Sequence, residues 1–328
     1  MLKAYERASK NKHKCKEVIT YELDLASNII DTLKQLYAGV YKVGNYRQFR
    51  IYEPKERIIQ SLPFRDRIVQ QWYVEEFIKP IFVPKFIKDT YACLENRGVH
   101  KAVKKLNKYM YEYNKINRDF YVLKCDVSKF FYSINKQRLY EILNRYVKDK
   151  AFMKLTKDLI YHDRNEVGIP IGNYTSQYFA NIYLNELDHF VKEKLKIKYY
   201  VRYMDDFVLL LEDRNQCRVI LEEIKEFLDK NLGLKLNKKT NYFRNSQGVN
   251  FCGYKIFKTH IMLKKENKKK IKNKIKNWNK LYHKKELDLR ETTLKLNSWI
   301  GHAQNADTFF LVNKMIRSCD WLYDGKNI

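Results

Sequence analysis

Two adjacent carboxylates, Asp205 and Asp206, stand in the middle of YYVRYMDDFVLLL, residues 199 to 211. The flanks are β-branched, aromatic and apolar, which predicts strand, tight acidic turn and strand. A charge withdrawn from water needs a partner, and two like charges side by side deepen the cost. A solvated Asp-Asp turn would avoid that cost. The runs YVRYM and FVLLL argue against it, because they predict burial on both sides. A divalent cation removes the difficulty: Mg²⁺ takes hard carboxylate oxygens and completes its shell with water and substrate phosphate.

Asp126 ends a second apolar strand, FYVLKCD, 79 residues before Asp205. Taken alone, it either ligates a metal or caps the next turn through Ser128 or Lys129. Beside the Asp205–Asp206 pair, metal ligation is the stronger reading. Three carboxylates from two neighbouring strands can hold two Mg²⁺ ions about 4 Å apart, with Mn²⁺ as the alternative. In such a site one ion can activate an attacking hydroxyl and the other stabilise a departing phosphate group.

Charge says what such a site works on. The chain carries 65 Lys and Arg against 38 Asp and Glu, a net +27 spread along its length. A field of that size recruits polyanions, and nucleic acid is the commonest inside cells. A membrane-surface protein would concentrate the excess on one amphipathic helix. No run of about 18 uncharged apolar residues predicts a membrane span, and the basic first residues lack the apolar core of a secretory signal. Six scattered cysteines form no CxxC pair, which excludes a zinc ribbon and a disulfide framework and places the chain in a reducing cytosol. Cys125 and Cys252 lie in apolar runs and are expected as buried thiols.

Apolar spacing of three and four predicts helices over 24–37, 100–116, 136–161, 178–195 and 216–232. Strands are expected over 120–126, in the 199–211 hairpin and over 249–257, and a basic helical segment from 264 onward. The order describes an α+β fold whose sheet is covered on one face by helices.

These residues carry a family resemblance. Tyr203-Met204-Asp205-Asp206 resembles the YxDD signature of reverse transcriptases, and Lys124 to Phe131, KCDVSKFF, resembles their first catalytic strand. LPFRDRIVQ at 62–70, LNKKT at 236–240 and FCGY at 251–254 resemble three further motifs in the same order. The resemblance runs from about residue 50 to the end. It implies a right-hand polymerase fold: N-terminal extension and fingers over 1–118, and a palm of antiparallel sheet plus helices over 119–258, with 136–168 returning to the fingers. A short basic helical thumb over 259–328 completes the expected division.

It also implies roles. Asp126, Asp205 and Asp206 are the metal ligands, joined by the Val127 carbonyl, and Lys239 is the general acid to pyrophosphate. Phe131, five residues after Asp126, is the steric gate against a 2′-hydroxyl; a core aromatic is the alternative. Arg65 and Arg67 clamp the triphosphate unless Asp66 between them takes the charge. Leu94 stands where many bacterial relatives carry an arginine, so Arg97 is the expected substitute. Tyr203, Met204, Gly253 and His302, with Lys264, Lys268, Lys272 and Lys276, are expected against nucleic acid. Residues 264–276 hold eight lysines and one glutamate, and Ile271 and Ile275 mark the inward side.

IGNYTSQ at 171–177 carries Ile171 where most reverse transcriptases have glutamine and Gln177 where they have proline. The pattern resembles that of diversity-generating retroelements, which copy a template-repeat RNA and misincorporate opposite adenine. Ile171 is then expected beside the nascent base pair and Gln177 near the incoming nucleotide or template. Thr175 or Ser176 is expected to cap the helix beginning near Gln177. SWIGHA at 298–303 resembles the thumb of the same group. The length argues against a complete group II intron protein. Implied partners are template RNA, the RNA/DNA duplex, deoxynucleotides and an oligomer of a small basic accessory protein, in a bacterial or phage-infected cytoplasm.

Overall fold

A computed structural model of the chain describes residues 1–52, 56–162 and 165–323, so the end of the expected 259–328 segment lies outside the described residues. The centre is a four-stranded antiparallel sheet. Two strands outside it form a hairpin, β1 (Arg47–Ile51) and β2 (Arg57–Ser61). Within the sheet lie β3 (Tyr121–Asp126), β4 (Tyr200–Tyr203), β5 (Asp206–Leu211) and β6 (Asn241–Arg244), ordered β4-β5-β3-β6. A three-stranded sheet follows, from β7 (Val249–Phe251), β8 (Tyr254–Ile256) and β9 (Ile261–Leu263).

The central sheet is covered on both faces, not one. Leu123, Cys125, Phe207, Leu209 and Leu211 point into a core shared with the Tyr174–His189 and Arg214–Phe227 helices. Val122, Val201, Val208 and Leu210 point the other way, against the Val99–Ile116 helix and the β7–β9 sheet. The physical reason is in the strands: FVLLL is apolar at consecutive positions, the pattern of a strand buried on both faces.

Three segment expectations are also corrected. Residues 136–161 form two helices, Lys136–Tyr146 and Lys150–Tyr161, and the Asp149 carboxylate accepts from the Phe152 N–H to cap the second at 2.7 Å. Residues 249–257 form a hairpin turning at Cys252 and Gly253, which have φ +47° and +89°. Cys252 is therefore half-buried at a turn, whereas Cys125 is fully buried. The helix expected near Gln177 begins instead at Tyr174 and runs to His189, and neither Thr175 nor Ser176 caps it. Its first N–H donates across the fold to Gln70 Oε1 at 3.0 Å. A partner distant in sequence supplies the cap, which local reading does not reveal.

The loop before this helix packs tightly. Gln60 N–H donates to the Ile171 carbonyl at 2.9 Å, so β2 is tied to the 171–177 segment. Gly172 has φ +120°, and a Cβ there would stand 2.8 Å from the Gln60 carbonyl oxygen. Only glycine allows that approach.

Towards the C-terminus, Lys265–His283 buries Ile271, Ile275 and Trp278. They meet Leu296, Met315 and Trp321 in a separate small core. The predicted inward isoleucines are thus buried, and the lysines between them face outward or line a groove.

Candidate active site

Antiparallel pairing sets the acids. β3 and β5 run in a register that places Asp126 directly opposite Asp206. Such cross-strand partners lie on the same face with Cβ atoms about 5 Å apart. Asp205 occupies the β4–β5 turn, and its carbonyl accepts from the Val127 N–H at 3.2 Å. All three aspartates are half-buried. Among the described residues, no group of three or more His, Cys, Asp or Glu side chains is gathered closely enough to hold a metal ion. What stands beside Asp206 is a cation of the chain itself: Lys124 Nζ donates to its Oδ1 at 2.6 Å. Lys124 precedes Asp126 by two residues, so the strand's period brings both to one face.

Burial pushes the Asp206 carboxyl up to about 6, against the pull of Lys124, and Asp126 and Asp205 add to the rise. Hard carboxylate oxygens of Asp126 and Asp206 on one face, with Asp205 at the adjoining turn, are the donor type that a divalent cation takes.

The loop after the Arg214–Phe227 helix closes one side. Asn237 N–H donates to the Asp126 carbonyl at 2.7 Å, and Leu236 bridges Val127. Asp126 N–H reaches Thr240 Oγ1 at 3.4 Å. Lys239 is exposed on this loop, its N–H bonded to Asn237 Oδ1 at 3.0 Å. Phe131 is half-buried, edge-on to Phe130 with centroids 5.5 Å apart, and its carbonyl accepts from Ile169 N–H. Gln177 is exposed and Ile171 half-buried.

The expected arginines are otherwise engaged. Arg65 donates to Asp66 at 3.1 Å and to the Lys42 carbonyl at 2.8 Å. Asp66 is buried and also accepts from Tyr41 Oη at 2.6 Å, so the internal salt bridge is what forms for Arg65. Arg67 bonds the Leu62 carbonyl and the Glu17 carboxylate. Arg97 gives its guanidinium to the Ile87 and Thr90 carbonyls, tying its own loop. The role expected of Arg97 in place of an arginine at position 94 requires it to exchange these backbone acceptors.

Opposite the acids, Tyr203 packs against the second core beside Cys252. Burial pushes the Cys252 thiol up, and the negative charge of Asp206 adds to it. Gly253 follows, its carbonyl held by Asn267 Nδ2 at 3.1 Å. Tyr254 Oη meets both Nδ1 and the carbonyl of His302, each at 2.8 Å. Burial and then His100 hold His302 below the usual imidazole range, which favours the neutral ring. A groove of about 340 Å³ lies between the Lys265–His283 and Leu289–Ala303 helices, lined by Lys270, Lys274, Lys295 and His302. Lys264 and Lys268 are half-buried, whereas Lys272 and Lys276 are exposed.

Sequence reading passed over two residues. Lys124 was legible as a cation two places from Asp126. Arg202, fully buried behind the turn, left one signal, a charge inside the apolar run YYVRYM.

Comparison with known proteins agrees with this architecture. LtrA, a group II intron-encoded protein of Lactococcus lactis subsp. cremoris, is 24% identical over 70% of this chain and 49% of its own length. The Escherichia coli retron Ec73 reverse transcriptase is 24% identical over 84% of this chain and 86% of its own. The chain thus spans about half of LtrA, and 31% of the Saccharomyces cerevisiae COX1/OXI3 intron 2 protein, to which it is 25% identical over 65% of its residues. A Candida tropicalis telomerase structure shares the fold with TM-score 0.51 at 12% identity, covering 72% of this chain and 60% of that one. The fold is the α+β right-hand polymerase fold. No helix among the described residues is long and apolar enough to cross a membrane. Residues 49–256 match the family model of reverse transcriptases (RNA-dependent DNA polymerases), and the chain belongs to that family.

Proposed function

We propose that this chain is an RNA-directed DNA polymerase that extends a DNA end at Asp126, Asp205 and Asp206. The register that sets Asp126 opposite Asp206, one residue from Asp205, carries the reading. These carboxylates, with the Val127 carbonyl, would hold two Mg²⁺ or Mn²⁺ ions. Bound there, the ions supply activation of the 3′-hydroxyl and charge neutralisation of the leaving pyrophosphate.

The chain's own groups position the reactants. Phe131 presents its ring to the sugar C2′ and excludes a ribonucleotide. Lys239, on the loop bonded to Asp126, returns a proton to pyrophosphate. Arg65 and Arg67 reach the triphosphate only by exchanging their present partners. Fingers are assigned to 1–118, palm to 119–258 and thumb to 259–328. On the thumb, Lys264, Lys268, Lys272 and Lys276, joined by the groove lysines, contact duplex phosphates. Tyr203, Met204, Gly253 and His302 face the growing end.

The narrower reading is an error-prone enzyme of a diversity-generating retroelement, copying template-repeat RNA with a small basic accessory protein. Its support is Ile171, bound through its carbonyl to β2, and Gln177, exposed on the same segment. A non-mutagenic polymerase is the alternative, favoured by the intron and retron names among the relatives.

Primer extension on a mixed-sequence RNA template tests these readings. Wild type is expected to yield cDNA and Asp206→Ala none; equal signal from both removes the polymerase reading. Phe131→Ala is expected to raise ribonucleotide incorporation on the order of 10–100-fold, and no rise removes the gate. Errors gathered opposite adenine support the retroelement, and evenly spread errors support the alternative.

A further inference from the structure

Behind the acidic turn lies a charge that the proposed chemistry leaves unused. Arg202 on β4 is fully buried, as is Asp188 on the Tyr174–His189 helix. The pair is bidentate: Nε donates to Asp188 Oδ1 at 2.7 Å, and a terminal nitrogen donates to Oδ2 at 2.6 Å. Asp188 also accepts from Tyr200 Oη at 2.7 Å and Thr90 Oγ1 at 2.8 Å. The other terminal nitrogen of Arg202 donates to Asn181 Oδ1 at 3.2 Å and to the Met204 carbonyl at 3.0 Å.

That last acceptor belongs to the peptide joining Met204 to Asp205. Met204 sits at φ +55°, a left-handed conformation that a non-glycine residue holds only when its surroundings impose it. A buried ion pair is a poor stabiliser compared with apolar side chains of equal volume, because desolvation offsets the Coulomb gain. A guanidinium kept here at that cost, with one hydrogen bond aimed at a strained catalytic turn, is explained by geometry better than by stability.

We propose that Arg202 is a positioning residue: anchored by Asp188 and Asn181, it fixes the Met204–Asp205 peptide and with it the arrangement of Asp205 and Asp206. The inference rests on the polymerase reading for its kinetic test. A binding test keeps the two separable.

The test uses the full chain carrying Arg202→Met together with Asp188→Leu, and separately Arg202→Lys. The double change replaces the pair by apolar side chains. Lysine keeps the charge but cannot make the fork and the Met204 bond together. Each variant is compared with wild type in primer extension with Mg²⁺. Each is also titrated with Mn²⁺ by electron paramagnetic resonance without nucleic acid. The expected result is a kcat at least tenfold lower, as misplacement of a reacting group by about 1 Å predicts. KM for primer–template and deoxynucleotide should stay within about twofold, and Mn²⁺ binding should weaken severalfold. A purely structural role would lower the active fraction and leave Mn²⁺ affinity unchanged in the folded fraction. Wild-type kcat and Mn²⁺ affinity in the folded double variant overturn the proposal. If the double variant does not fold, the same values in Arg202→Lys overturn it. If wild type itself extends no primer, the polymerase reading fails, and the Mn²⁺ comparison alone decides the role of Arg202.

Discussion

Asp206→Asn is expected to abolish primer extension, by about a thousandfold or more, and to make the protein more stable at neutral pH. The first effect follows from losing a charged ligand at the centre of the proposed site. The second follows from burial. Asp206 is pushed up to about 6 in the fold, against about 4 in an unfolded chain. The folded state holds that proton more tightly. Its contribution to stability is therefore fully present below about pH 4 and is lost as the pH rises through about 6. Two units correspond to roughly 3 kcal/mol. Asparagine mimics the protonated acid and removes that loss, although Lys124 then gives up its partner. A gain of about 1–3 kcal/mol near pH 7 is expected in EDTA, or roughly 2–4 °C per kcal/mol in Tm. The gain should vanish near pH 4. Thermal unfolding of both proteins across that range is the measurement. A variant less stable than wild type at neutral pH would show that the Lys124 pair outweighs burial.

Asp188→Leu alone is expected to destabilise the chain by about 3–5 kcal/mol, because it leaves the Arg202 guanidinium buried without a counter-charge. Tyr200 and Thr90 lose their acceptor in the same step, which adds unsatisfied hydroxyls. Pairing it with Arg202→Met removes both charges, and most of the lost stability should return. Denaturant unfolding of the two singles and the double forms a cycle whose coupling reads the pair directly. Singles and double losing stability additively would mean that the two side chains do not act as a unit. The stability cycle and the kinetic split answer different questions: one asks what the pair contributes to folding, the other what it does to the turn.

The acids, the strands that carry them and their pairing as a hairpin were legible in the sequence. An apolar run interrupted by charge is a local pattern, and its cost is set by solvation alone. The same holds for the basic helix with Ile271 and Ile275 on its inner side. The two-sided burial of the sheet, missed by the one-face expectation, left a signal in FVLLL, which is apolar at consecutive positions.

What sequence left open depends on partners that the chain brings from far away. Arg65 has Asp66 beside it, but Arg67 finds Glu17, and Arg97 finds carbonyls of its own loop. A long cation has many nearby acceptors, and packing chooses among them. The cap of the Tyr174–His189 helix comes from Gln70, and the brace behind the acidic turn from Asp188, Asn181 and Thr90. Local chemistry determined which groups must be compensated. Only the tertiary structure decided what compensates them, because hydrogen bonds and ion pairs act over a few ångströms of space whatever the separation along the chain.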